Sequence, residues 1–138
     1  MTTNFTRHVL VPVAEQEDAR TTAQTLEPYE FDRITVLHVV EKGEGVPDKT
    51  PVEQSERVAA EAFEAFRETF PDADTEITYR RDVVAGIIEA ADEIDASAIV
   101  FRPRGGARIV QWLSGDRSLR LVTEADRPVI SVPEGTEE

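Results

Sequence analysis

The chain has 138 residues, 40% of them hydrophobic and none cysteine, which fits one globular domain and excludes a disulfide scaffold or thiolate chemistry. Asp and Glu number 28 against 15 Lys and Arg, giving a formal net charge of −13 that argues against nucleic acid and anionic membranes as partners. No apolar run reaches bilayer length, and residues 1–7 lack the apolar core of a signal peptide, so the expectation is a cytoplasmic protein.

In chain order, His8 to Val13 is an almost continuous apolar run, read as a first strand covered on both faces. A polar turn follows, then a short helix from about Glu17 to Leu26, stopped by Pro28. Ile34 to Val40 reads as the second strand, and Glu41 to Thr50, with two glycines and a proline, as a loop. Pro51 suits the first turn of a long helix. On that helix Ala59, Ala62, Phe63, Phe66 and Phe70 recur at three- and four-residue steps and form one buried stripe. Glu76 to Arg80 is a short third strand. Asp82 is placed to cap the next helix, whose buried face is set by Val84, Ile87, Ile88 and Ala91.

The fourth strand, Ala98 to Phe101, feeds the loop Arg102-Pro103-Arg104-Gly105-Gly106-Ala107-Arg108. An amphipathic segment carrying Trp112 leads to Ser114-Gly115-Asp116, then to a helix through Leu119, Leu121 and Val122. The packing or interface role is the one expected of Trp112. A last strand spans Pro128 to Pro133, and residues 134–138 read as a disordered tail. Strands alternating with helices imply right-handed crossovers and a mainly parallel five-stranded sheet between two helical layers, in one domain over residues 1–138. In such sheets ligands sit beyond the carboxyl ends of the strands, where the strand order reverses. A strand, a glycine loop and a helix N-terminus in succession also form an anion-holding geometry. The loops after the first and fourth strands are therefore the candidate site.

The opening Val9-Leu10-Val11-Pro12-Val13, the second strand ending Leu37-His38-Val39-Val40, the Ile87-Ile88 helix before Ala98-Ile99-Val100, and the closing Arg127 to Pro133 together resemble the universal stress protein (UspA-like) family over nearly the whole chain. The resemblance implies an adenine nucleotide alpha hydrolase-like fold of UspA type, strand order 3-2-1-4-5, and homodimerisation through the last strand. The nucleotide-binding branch carries a glycine, two residues, a glycine, nine residues, then glycine with serine or threonine. Gly105 takes the second glycine and Gly115 the third, but Arg102 stands at the first and Asp116 at the hydroxyl position. The family's aspartate after the first strand is Ala14 here. An ionised carboxylate at Asp116 cannot donate to a phosphate and repels it, whereas at a helix start it caps the helix. Arg102 puts a side chain where backbone must approach closely.

The leading expectation is thus a non-enzymatic, dimeric stress-response protein with a degenerate nucleotide site, no cofactor, no metal and an unnamed protein partner. The alternative is a nucleotide or phosphate-ligand binder taking ATP or AMP with Mg. Arg102, Arg104, Arg108, Arg117 and Arg120 cluster in an otherwise acidic chain, and arginine suits phosphate. The candidate contacts are Gly105, Gly106, Gly115, Arg104 and Arg108, with Val13 and Val40 at the ends of the first two strands. The competing role for the arginines is pairing with local carboxylates or with a dimer partner. A low-activity hydrolase ranks last, since no catalytic constellation stands out, and His8 and His38 are expected in the core or at an edge. Only Lys42 and Lys49 are lysines. That acidic, arginine-based surface fits a high-salt cytoplasm, where screening shrinks self-repulsion, and so a halophilic archaeon.

Overall fold

A computed structural model describes residues 4–41, 52–102 and 116–133. Its elements run β1 (Val9–Pro12), α1 (Gln16–Leu26), β2 (Ile34–Glu41), α2 (Val52–Arg67), β3 (Asp74–Arg80), α3 (Val83–Ile94), β4 (Ala98–Phe101), α4 (Asp116–Glu124) and β5 (Val129–Ser131). The strands form one all-parallel sheet in the order β3-β2-β1-β4-β5, the order that the family resemblance implies. Pairing sets Val9 against Ile34 on one side and Ala98 on the other, so β1 is the central strand.

The apolar strands are explained by burial on both faces. Along β1, Val9, Val11 and Val13 join the layer that holds Ala19, Ala23 and Leu26 of α1 and Ala62 and Phe66 of α2. Leu10 faces the other layer, with Val84, Ile87 and Ala91 of α3 and Leu121 of α4. Each fully buried aliphatic side chain contributes about 1.5–3 kcal/mol.

Strands β1 and β2 shift by one residue at their ends, and three other boundaries move for a local reason. α2 ends at Arg67 rather than Phe70, because Pro71 disfavours helix at the residue before it. The Arg67 guanidinium closes the turn on the Ala73 carbonyl, and Phe70 still stacks on Phe66 at 5.4 Å between ring centroids. β3 starts at Asp74, two residues early, since its pairing with β2 extends to Thr35. β5 is cut to three residues between Pro128 and Pro133, which cannot donate to a ladder. Asp82 caps α3 as expected, accepting from Val84 N at 3.1 Å. That helix ends with Asp95 in the left-handed region at φ 54°, where its N–H closes the last turn on Ala91 and Asp92. The predicted tail 134–138 lies outside the described residues.

Candidate functional site

With this strand order, β1 and β4 are neighbours whose connections leave in opposite directions, so a crevice opens beyond their carboxyl ends. Two residues meet there that sit 84 apart in sequence. Arg102, the residue after β4, sends Nη2 to Asp18 Oδ1 at 2.6 Å, in the first turn of α1. Arg102 Nε donates to Thr22 Oγ1, one turn further along, at 3.2 Å. The other carboxylate oxygen of Asp18 accepts the Ala14 N–H at 2.7 Å, the amide just past β1. The pair is sealed, with side-chain exposures of 6% for Arg102 and 0% for Asp18.

A buried ion pair holds only when both charges are well coordinated, and these four groups satisfy one another. The consequence is chemical. At the first-glycine position a guanidinium fills space where bare backbone would otherwise meet a ligand. The amide at Ala14 is committed to Asp18.

The arginine cluster divides accordingly. Arg117 reaches Glu41 at the end of β2, Nη2 to Oε2 at 3.0 Å. Arg120 clamps the Asp82 carboxylate with both Nη atoms, at 3.1 and 2.8 Å, and also holds Glu124. With Arg102, three of the five arginines pair with local carboxylates. Arg104, Gly105, Gly106, Arg108, Trp112, Ser114 and Gly115 lie outside the described residues. The backbone of Asp116 opens α4, and its side chain, like that of Ser118, lies outside the described residues too. Val13 is fully buried, its N–H donating to the Leu37 carbonyl at 2.8 Å. Val40 sits at the mouth of the cavity described next.

That cavity, of about 260 Å³, lies between the end of β2 and the start of α2, lined by Ala14, His38, Glu41, Gln54, Ser55 and Val58 among others. His38 is buried, and its Nδ1 lies 3.3 Å from the Val13 carbonyl. A carbonyl only accepts, so Nδ1 carries the proton and Nε2 is the bare acceptor. At the opposite end of the sheet His8 is also buried, with Nε2 2.8 Å from Thr35 Oγ1. Both histidines are therefore core residues, as expected, and among the described residues His8 has a side-chain partner in Thr35.

Burial lowers both histidines from the ordinary value of 6.5. For His8 the charges of Arg33 and Arg7 add to the effect against Asp74 and Asp95, and for His38 the carbonyls of Val13 and Ala14 oppose it. The folded state thus keeps both neutral, while the unfolded chain takes up protons below 6.5. Stability is present above 6.5 and is lost as the pH falls from there toward the lowered folded-state values. The Arg120 clamp also lowers Asp82 below 3.8, so its contribution is present above 3.8 and is lost as the pH falls through its folded value. Urea unfolding across this range should show a flat midpoint above pH 7 and a decline starting near 6.5. His8→Gln combined with His38→Gln should flatten the upper step; an unchanged slope in that variant contradicts the assignment.

Asp18 and Thr22 were not among the expected site residues. Their signal is a polar pair four apart, on the same helix face as Ala19, Ala23 and Leu26. Ser55, buried at the first turns of α2, was missed as well.

Among the described residues no group of three or more His, Asp or Glu is placed to hold a metal ion, and no helix is long and apolar enough to cross a membrane. No curated protein sequence matches the chain. Solved structures match its fold at low identity. The universal stress protein from Archaeoglobus fulgidus in complex with dAMP superposes with a TM-score of 0.62 at 20% identity, covering 94% of this chain and 99% of that one. The universal stress protein UspA from Lactobacillus plantarum gives a TM-score of 0.63 at 22% identity, over 94% and 99%. A universal stress protein family protein from Arabidopsis thaliana with AMP bound gives 0.59 at 16%, over 96% and 94%. The family model for the universal stress proteins matches residues 6–133. The chain belongs to the universal stress protein family.

Proposed function

We propose that this universal stress protein acts without catalysis, in the cytoplasm at high ionic strength, by interaction with a partner, its nucleotide site being closed in the phosphate-binding half. The single observation that carries the reading is the sealed Arg102–Asp18 pair across the β1/β4 crevice, with the Ala14 amide bound to the same carboxylate. A phosphate entering there would have to break an ion pair buried from water and desolvate its own charge beside Asp18. The test is magnesium–ATP binding in molar potassium chloride, where this reading expects no heat at millimolar nucleotide. The second reading, a nucleotide held by Arg104, Arg108 and the Gly105, Gly106 and Gly115 backbone, is favoured by the dAMP and AMP bound in its structural relatives.

Work by interaction also fits the free edge of the sheet. Among the described residues β5 pairs with β4 alone. Beside it lies a hollow of about 250 Å³ lined by Tyr29, Phe31, Val100, Ile130 and Val132, and Leu119 and Val122 of the preceding helix are exposed. An apolar edge of this kind is normally paired or covered, and a second copy through β5 is the proposed cover. Ile130→Lys should convert the assembly to monomers in analytical ultracentrifugation. An unchanged sedimentation coefficient would place the interface elsewhere or remove it.

A further inference from the structure

The far edge of the sheet carries a signal of its own. β3 lies outermost, paired with β2 in an unbroken register from Asp74 to Arg80. Its side chains alternate between the two faces. Arg80 packs by Gly86 of α3, where a Cβ would stand 3.2 Å from the Arg80 Cγ, so Asp74, Glu76, Thr78 and Arg80 share the α3 face. Thr75, Ile77 and Tyr79 share the α2 face. Thr75 is exposed and the other residues of the strand are half-buried, so neither helix overhangs it.

We infer that this edge joins a second copy of the chain, β3 against β3 in antiparallel register about Ile77. Reversed on itself about Ile77, the strand sets Asp74 opposite Arg80, Thr75 opposite Tyr79, Glu76 opposite Thr78, and Ile77 opposite its own copy. Directly opposed side chains of an antiparallel pair point to the same face about 4.5–5.5 Å apart, so a carboxylate meets a guanidinium at each end and a β-branched pair sits on the two-fold axis. Neighbouring registers are worse. Centring on Glu76 puts two glutamates face to face, and centring on Thr78 puts Asp74 against Asp82.

The residues behind the strand extend the match. Arg33 Nε holds Asp74 Oδ2 at 2.8 Å, and Arg80 holds Glu89, so Arg33, Asp74, Arg80 and Glu89 alternate in sign across the joint. Both existing pairs are exposed to water and of small net value alone, so sharing them with a third charge costs little. β3 also carries neither proline nor lysine, the usual guards of an edge. The contact joins polar side chains rather than filling an apolar hollow, so it is the weaker of the two edges, with a dissociation constant of about 0.1–1 mM. Two-fold contacts at both edges do not close, and they link β5 dimers into rows. The inference is independent of the closed phosphate half.

The test is analytical ultracentrifugation of the full chain in molar potassium chloride, which screens the net charge of −13 on each copy beyond about 3 Å. Ile130→Lys removes the β5 contact, and that variant should pass from monomer to dimer between roughly 10 μM and roughly 1 mM. In that background Asp74→Arg and Arg80→Asp should each weaken the dimer about tenfold, by opposing like charges at both ends. The two reversals together should restore it, since the pair re-forms with its ends exchanged. A purely intramolecular role for these side chains predicts no recovery, because Arg33 and Glu89 then face like charges. Urea unfolding midpoints check that each variant folds. A monomer throughout the range, a dimer or larger species indifferent to both reversals, or a double variant that does not recover overturns the inference. If the Ile130→Lys variant is already a dimer at roughly 10 μM and the single reversals dissolve it, the β3 contact stands and the β5 assembly falls.

Discussion

Replacing Asp18 by alanine is expected to destabilise the protein by about 3–5 kcal/mol, the usual cost of leaving one member of a buried ion pair without its counter-charge. Here the orphan is a guanidinium with 6% side-chain exposure, and the Ala14 amide loses its acceptor in the same step. Arg102→Ala should cost a comparable amount for the complementary reason, since it strands the fully buried carboxylate. The paired substitution Asp18→Leu with Arg102→Met should recover most of the loss, because apolar groups of similar volume often replace a buried pair at little cost. Urea unfolding of the two single variants and the double variant measures the coupling. Single-variant losses below about 1 kcal/mol would mean that the two groups are hydrated and that the crevice is open.

Phe66→Ala is expected to cost about 3–5 kcal/mol, from the lost transfer of the ring and the cavity left in its place. Phe66 is fully buried at the end of α2, stacked on Phe70 with an interplanar angle of 27°. It sits among Ala62, Ala65 and the β1 and β2 valines, small or branched side chains that cannot swing in to fill the void. The same helix carries Gln54, Ser55 and Val58 at its other end. Phe66→Leu should lose less than half as much, and thermal unfolding of both variants checks the order. Equal losses would show that ring stacking, rather than volume, dominates there.

The fold was legible because β1, β2 and β4 are each apolar on both faces, a pattern that a covered parallel sheet produces and a half-solvated one does not. Short edge strands were harder to delimit. β3 is half-buried apart from the exposed Thr75, so its ends are set by pairing with β2 rather than by its own residues. At the site, Arg102 could be read as an intruder in a glycine pattern, but its partner could not. Asp18 lies in the acidic first turn of a helix, beside Glu17, where a carboxylate ordinarily serves the helix dipole in water. Its burial follows only once α1 is packed against the end of β4. The cavity beside His38 was equally hidden, because it depends on where α2 lands and the hydrogen bond to Val13 crosses two strands.

The most direct test of the closed phosphate half is calorimetric titration of magnesium–ATP into the intact chain in molar potassium chloride. With the crevice filled by Arg102 and Asp18, no heat of binding is expected at millimolar nucleotide. Micromolar binding that is lost in Arg104→Ala would contradict it, and would show the arginine loop holding phosphate beside an ion pair that does not block it.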